Sequence, residues 1–157
     1  MAQSGDNPGV IAPPPLLFGG ALALGLALDF GLVRVSTGLP SPLRLVAAAA
    51  LLAAAAVLLA GALVRFHRAG TAVEPWRPST ALVTDGVYRF TRNPIYLALA
   101  FLYGALALAA DSAVSLLLLP PLLAVMQAGV IAREERYLEA KFGEEYRRYK
   151  ASVRRWI

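Results

Sequence analysis

The sequence predicts an all-α integral membrane protein: four transmembrane helices, the last two joined in a tight C-terminal hairpin, followed by a cytoplasmic amphipathic tail. Hydrophobic residues make up 58% of the 157-residue chain and charged ones only 16%, against about 25% charge in average soluble chains. The apolar residues are also bunched, since residues 45–64 contain no polar side chain. Four largely apolar segments occur, at 16–33, 45–64, 94–110 and 112–132, each close to the ~20 residues that cross a ~30 Å hydrocarbon core. Together these features exclude disorder and an ordinary water-soluble core. The absence of Cys excludes disulfides, thiolate metal sites, cysteine nucleophiles and lipidation at cysteine.

Residues 1–15, with Gly5, Pro8, Gly9 and Pro13 to Pro15, lack the positive n-region of a secretory signal and read as a loose, uncleaved N-terminal tail. Residues 16–64 hold the first two spans. Asp29 lies inside the first, and an intramembrane acid is a functional candidate by default, although its place near the outer end lets it reach the interface. The alanine-rich run at 47–56 permits close helix packing. His67, between Arg65 and Arg68, reads as an interfacial residue.

Residues 65–157 form the remaining region. Asp85-Gly86 is a turn signal, and Asn93-Pro94 is a helix start with Asn as N-cap and Pro at the first helical position. Only Asp111 and Ser112 separate the third span from the fourth, and either can cap the returning helix. Pro120 and Pro121 fall mid-segment and predict a kink. In the tail, Leu138, Phe142, Tyr146, Tyr149, Val153 and Trp156 follow at intervals of 4, 4, 3, 4 and 3. That helical stripe opposes Arg and Lys, as in an amphipathic segment lying at the membrane interface, with a break at Gly143.

Charge placement sets the expected topology. Residues 65–93 and 133–157 carry 13 of the 15 basic residues, and the hairpin between them returns the chain to the side it left. The positive-inside rule makes that side cytoplasmic, with both termini inside. Arg34 and Arg44 fall in the outer loop and argue mildly the other way. The net charge of +5 fits topology and anionic lipid headgroups, not nucleic acid. Arg outnumbers Lys 13 to 2 amid abundant Ala, a bias of GC-rich bacterial genomes that points to a bacterial inner membrane.

Two polar segments hold the chemistry-bearing residues. The first reads Gly86-Val-Tyr88-Arg-Phe-Thr-Arg92-Asn93-Pro94-Ile-Tyr96; the second reads Glu134-Glu135-Arg-Tyr-Leu138-Glu-Ala-Lys-Phe142-Gly143-Glu-Glu-Tyr146-Arg-Arg-Tyr149. Taken singly, each reads as a capped helix start or an interfacial helix. In this order, with a hairpin between, they resemble the isoprenylcysteine carboxyl methyltransferase and phospholipid methyltransferase superfamily, over roughly residues 69–157. Asn93 stands where that family often has His, which keeps a hydrogen-bonding group but loses an ionisable ring.

The resemblance implies an S-adenosylmethionine-dependent methyltransferase acting on a lipophilic or amphiphilic acceptor at the membrane. It nominates Tyr88, Arg92, Asn93, Tyr96, Glu134, Glu135 and Tyr146 for the cofactor, with Arg92 and Glu135 as the central pair. Arg92 suits a carboxylate bidentately, a Glu suits the ammonium, and the tyrosines suit the adenine or ribose. Adjacent Glu134 and Glu135 point about 100° apart on a helix, so one is expected to face the site, with Glu135 favoured, and the other to pair with Arg. No metal is implied, because carboxylates beside Arg are better explained as ion pairs. Two alternatives stand beside this reading: an NADPH-dependent membrane reductase of related architecture, whose extra phosphate would need a spare pair such as Arg147 and Arg148, and a non-catalytic helical membrane protein. The acceptor and the oligomeric state are not legible.

Overall fold

A computed structural model describes residues 6–156, which contain five α-helices and no strand. They are α1 (Pro14–Gly31), α2 (Ser41–Ala69), α3 (Pro94–Ala109), α4 (Ala113–Met126) and α5 (Ala132–Ser152), with a 3-10 turn at Gly86–Arg89 and a π-helical turn at Gln127–Ile131. α1, α2 and the continuous helix that runs from α4 into α5 each hold a stretch long and apolar enough to cross a membrane, while α3 is apolar but shorter. This is the composition of an integral membrane protein. The 16 residues of α3 rise only ~24 Å at ~1.5 Å each.

Small residues let these helices approach closely. α2 buries Ala48, Ala55 and Ala62, one every two turns, and lies along α3, which buries Ala98, Ala100, Gly104, Ala105 and Ala107. α1 packs instead on α4 and α3. At Gly25 a Cβ would stand 2.6 Å from Ser115 Oγ and 2.8 Å from its Cα, so only glycine allows α1 this close to α4.

The end of the bundle that carries the α1–α2 and α3–α4 connections is tied by polar side chains. Ser112 caps α4 by accepting from the Ser115 amide at 3.2 Å, while Asp111 takes a left-handed conformation and accepts from the Thr37 hydroxyl at 2.6 Å and the Thr37 amide at 3.0 Å. Arg44 donates to the carbonyls of Leu108 and Ala109 at 2.6 and 2.8 Å, which satisfies the C-terminus of α3. Fully buried Asp29 accepts from the Val35 amide at 2.8 Å and lies 3.7 Å from Arg34. This intramembrane acid thus anchors the turn after α1. Arg34 and Arg44 are likewise engaged with the fold.

The opposite end departs from two expectations and adds an irregular step after the two prolines. The N-terminal segment is not loose where it is described: the Ile11 amide donates to Gly129 O at 3.3 Å, Arg133 donates to Gly9 O at 2.8 Å, and Asp6 pairs with Lys141 at 2.6 Å. Ile11 meets the π-helical turn where Gly129 leaves no room for a Cβ. α4 is helical through Pro120 and Pro121, and the irregular step follows them at Gln127–Ile131. The α5 stripe does not lie on lipid. Tyr146 and Tyr149 are buried with Ala62, Val83 and Tyr88, and Leu138, Phe142 and Val153 pack around them, while Trp156 joins the cluster of α1, α3 and α4. Apolar residues of the 65–93 segment thus cover the stripe. Gly143, at φ 53°, breaks α5 as its position in the stripe predicts.

Candidate functional site

Between the segment that links α2 to α3 and the starts of α3 and α5 lies a cavity of about 330 Å³, within the usual range for small-molecule sites. Tyr88, Arg92, Asn93, Tyr96, Glu134, Glu135 and Tyr146 all line it. Pro94 begins α3 directly after Arg92-Asn93, and the π-helical turn ahead of α5 delivers Glu134 and Glu135 to its first turn. Pro14, Pro15, Leu59, Phe66, Trp76, Leu82 and Leu99 form its apolar walls.

The two glutamates divide the site between them. Glu135, 6% exposed, is held by arginines: Arg155 donates from Nε to Oε1 at 2.8 Å and from Nη2 to Oε2 at 2.6 Å, while Arg92 Nη1 stands 3.1 Å from Oε1. Burial raises the Glu135 carboxyl, but the Arg155 hydrogen bonds and the charges of Arg92 and Arg155 outweigh it and hold it below its ordinary value. Glu134 has no arginine. Its Oε2 accepts from the Tyr96 hydroxyl at 2.8 Å. Burial, with the charge of Glu135 beside it, pushes Glu134 up to about 7, against a smaller opposing effect of the Tyr96 bond. One glutamate pairs with arginine, as their angular separation leads one to expect, but the assignment is the reverse of the expected one: Glu135, the acid expected to face the ligand, is taken by Arg155, and Glu134 is the acid left without a cation.

Arg92 is the second notable group. Its side chain is 10% exposed, and its Nε and Nη1 are buried without a hydrogen-bond partner among the described residues. The Glu135 contact is close but misaligned. A buried guanidinium with free donors beside a cavity is a costly arrangement unless something else receives them.

Asn93 does not cap α3 with its side chain. Its Nδ2 donates to Arg155 O at 2.8 Å, Thr91 Oγ1 donates to the same oxygen at 3.1 Å, and the Arg92 amide donates to Arg154 O at 3.0 Å. The C-terminal turn therefore clasps the motif, a role absent from the sequence pattern because residues 62 apart meet there. Tyr88 and Tyr146 are buried beside the cavity; burial pushes Tyr146 up to about 12, with Glu135 adding. Tyr149 donates to Tyr88 O at 2.8 Å. Ser79, which lines the cavity, donates its amide to Tyr137 at 3.1 Å, and Tyr137 donates to Asp6 at 2.8 Å. Arg155, Thr91, Tyr137 and Asp6 are the residues that sequence reasoning missed.

His67 is exposed and does not line the cavity. Arg147 pairs with Glu144 at 2.9 Å, and neither Arg147 nor Arg148 lines the cavity. Among the described residues no group of His, Asp and Glu is arranged to hold a metal ion.

An uncharacterized protein from Haemophilus influenzae is 78% identical over 27 residues, 17% of this chain and 43% of the relative, so the matched stretch spans less than half of that protein. No solved structure matches. The family model for phospholipid methyltransferase matches residues 43–145, from the start of α2 to the middle of α5, across the whole of the first motif and the second as far as Glu145. The chain belongs to the phospholipid methyltransferase family.

Proposed function

We propose that this protein transfers a methyl group from S-adenosylmethionine to a lipophilic or amphiphilic acceptor at the membrane. The observation that carries the reading is buried Arg92, whose Nε has no hydrogen-bond partner among the described residues and whose Nη1 meets only Glu135, at 3.1 Å, at the wall of a cavity whose other acid, Glu134, has no cationic partner. With Arg155 and Glu135 the Arg92 cluster is one positive charge in excess, which suits a carboxylate. Glu134 suits an ammonium. An amino acid moiety presents both groups, and the half-apolar tyrosine faces of Tyr88 and Tyr146 suit a nucleoside. These residues fit the cofactor.

When bound, S-adenosylmethionine supplies an electrophilic methyl on its sulfonium and leaves as the neutral thioether. The protein's part is to orient and to exclude water. Arg92 holds the carboxylate with its fork, Glu134 holds the ammonium, and the tyrosine hydroxyls remain neutral. Bringing two reactants into line can supply up to about 7 to 11 kcal/mol of the barrier, and it needs neither a covalent enzyme intermediate nor a protein metal. The apolar walls from Leu59, Phe66 and Leu99 run along α2 and α3 toward the hydrocarbon. Because α1 packs on α4 and α3 while α2 packs on α3, an acyl or prenyl chain can enter between α1 and α2.

For the chain as a whole we propose four membrane-crossing helices, with both termini and the cavity on the cytoplasmic side of a bacterial inner membrane. Arg34 and Arg44, the basic residues that argued against this orientation, are engaged by Asp29 and the end of α3, so they weigh less as topological signals.

The test is thermal stabilisation of the detergent-solubilised protein, since a ligand that binds only the native state raises its melting temperature. S-adenosylhomocysteine is expected to raise it and NADPH to leave it unchanged. The reverse result favours the reductase reading, and no shift with either favours a non-catalytic membrane protein.

A further inference from the structure

We infer that Arg155 is a positioning residue for this site: by occupying both oxygens of Glu135 it keeps the donors of Arg92 free for the carboxylate end of the ligand. The inference rests on the methyltransferase reading above and adds a residue outside both sequence motifs.

Arginine and carboxylate left alone close into a two-pronged pair. Arg92 and Glu135 do not do so, although Nη1 and Oε1 stand 3.1 Å apart. The reason is on the other side of the carboxylate. Arg155 already makes the two-pronged pair, at 2.8 and 2.6 Å, and turns the plane of Glu135 toward itself. Arg92 is left with that one misaligned contact at Nη1 and with an Nε that has no hydrogen-bond partner among the described residues.

Arg155 is itself fixed in place. Its carbonyl receives Thr91 and Asn93, the residues on either side of Arg92, and the neighbouring Arg154 carbonyl receives the Arg92 amide. Trp156 packs against the helical core next to it. One turn of chain therefore holds the backbone that carries Arg92 and the carboxylate that competes for its side chain. Without the Arg155 guanidinium, Glu135 is free to rotate onto Arg92 and take the donors that the ligand needs.

The inference is tested by calorimetry on the full chain in detergent, with S-adenosylhomocysteine and with 5′-methylthioadenosine, which shares the nucleoside but lacks the amino acid end. Arg155→Gln is expected to weaken S-adenosylhomocysteine about tenfold or more, the scale of one charge-assisted contact, and to leave 5′-methylthioadenosine unchanged. Arg155→Lys, which keeps the charge but not the two-pronged pair, is expected to recover only part of the loss. It serves for the same comparison if Arg155→Gln does not fold. Equal loss for both ligands marks Arg155 as general support for the fold, and unchanged S-adenosylhomocysteine affinity marks it as irrelevant; either overturns the inference. A wild-type protein that binds neither nucleoside overturns the methyltransferase reading itself.

Discussion

The Tyr96 hydroxyl donates a 2.8 Å hydrogen bond to Oε2 of Glu134, joining the first turn of α3 to the first turn of α5 across the cavity. It is the counterpart of the Arg155 grip on Glu135 and leaves Glu134 without a cation. Its carboxyl is pushed up to about 7 from an ordinary 4.5, chiefly by burial. A group with a raised folded pKa contributes stability that is full below its unfolded value and lost as pH rises through the folded one. Melting temperatures of the ligand-free protein should therefore fall as pH rises between about 4.5 and 7, and Glu134→Gln should flatten that part of the profile. An unchanged slope in the variant would assign it to another group.

Arg92→Lys is expected to lower S-adenosylhomocysteine affinity by about ten- to a hundredfold, the equivalent of about 1.5 to 3 kcal/mol. An ammonium keeps the charge but cannot reproduce the planar fork. Calorimetry on folded protein reads this directly. Affinity within twofold of wild type would remove Arg92 as the carboxylate anchor.

Asn93→Ala removes a donor to Arg155 O and should cost about 0.5 to 1.5 kcal/mol of stability. Because Thr91 donates to the same oxygen, the double variant with Thr91→Val should lose more than the two single losses combined, since Arg155 O then has neither donor. Asn93→Ser should not restore the melting temperature, because its shorter side chain cannot span the same distance. Full rescue by Ser would point back to a helix cap.

Gly25→Ala should destabilise by about 1 to 3 kcal/mol, the usual range for an overpacked contact. The new methyl would meet the backbone and side chain of Ser115, and the Ser115 hydroxyl is already tied to Ser112 at 2.9 Å. Ser115→Ala relieves only the oxygen contact, so the double variant should recover part of the loss. Denaturation in mild detergent is the readout, and a neutral Gly25→Ala would mean that α1 and α4 slide apart at little cost.

Cysteines introduced at Ser79 and Ser152 into this Cys-free chain should both be labelled from the cytoplasmic side only. Labelling from opposite sides would overturn the proposed topology.

The long apolar runs, the two-residue hairpin turn with its Ser112 cap, the break at Gly143 and the seven residues that meet at the cavity could all be read from the sequence, because each depends on neighbours within a few turns or on a motif of fixed spacing. The partners of those residues could not. Glu134 and Glu135 are chemically identical neighbours, and only the arrival of Arg155 and Tyr96 from distant segments distinguishes them. Asn93 has a cap's sequence context, yet its side chain goes to a carbonyl brought in by the C-terminal turn. The α5 stripe has the periodicity of a lipid-facing helix, and periodicity records that a face is apolar, not what covers it. Asp29 looked like a lone acid in a span until the turn after α1 supplied an amide to it. Local chemistry determines which groups must be satisfied; the fold decides which distant donor, acceptor or apolar face satisfies them, because that choice depends on distances and angles that arise only when the helices pack.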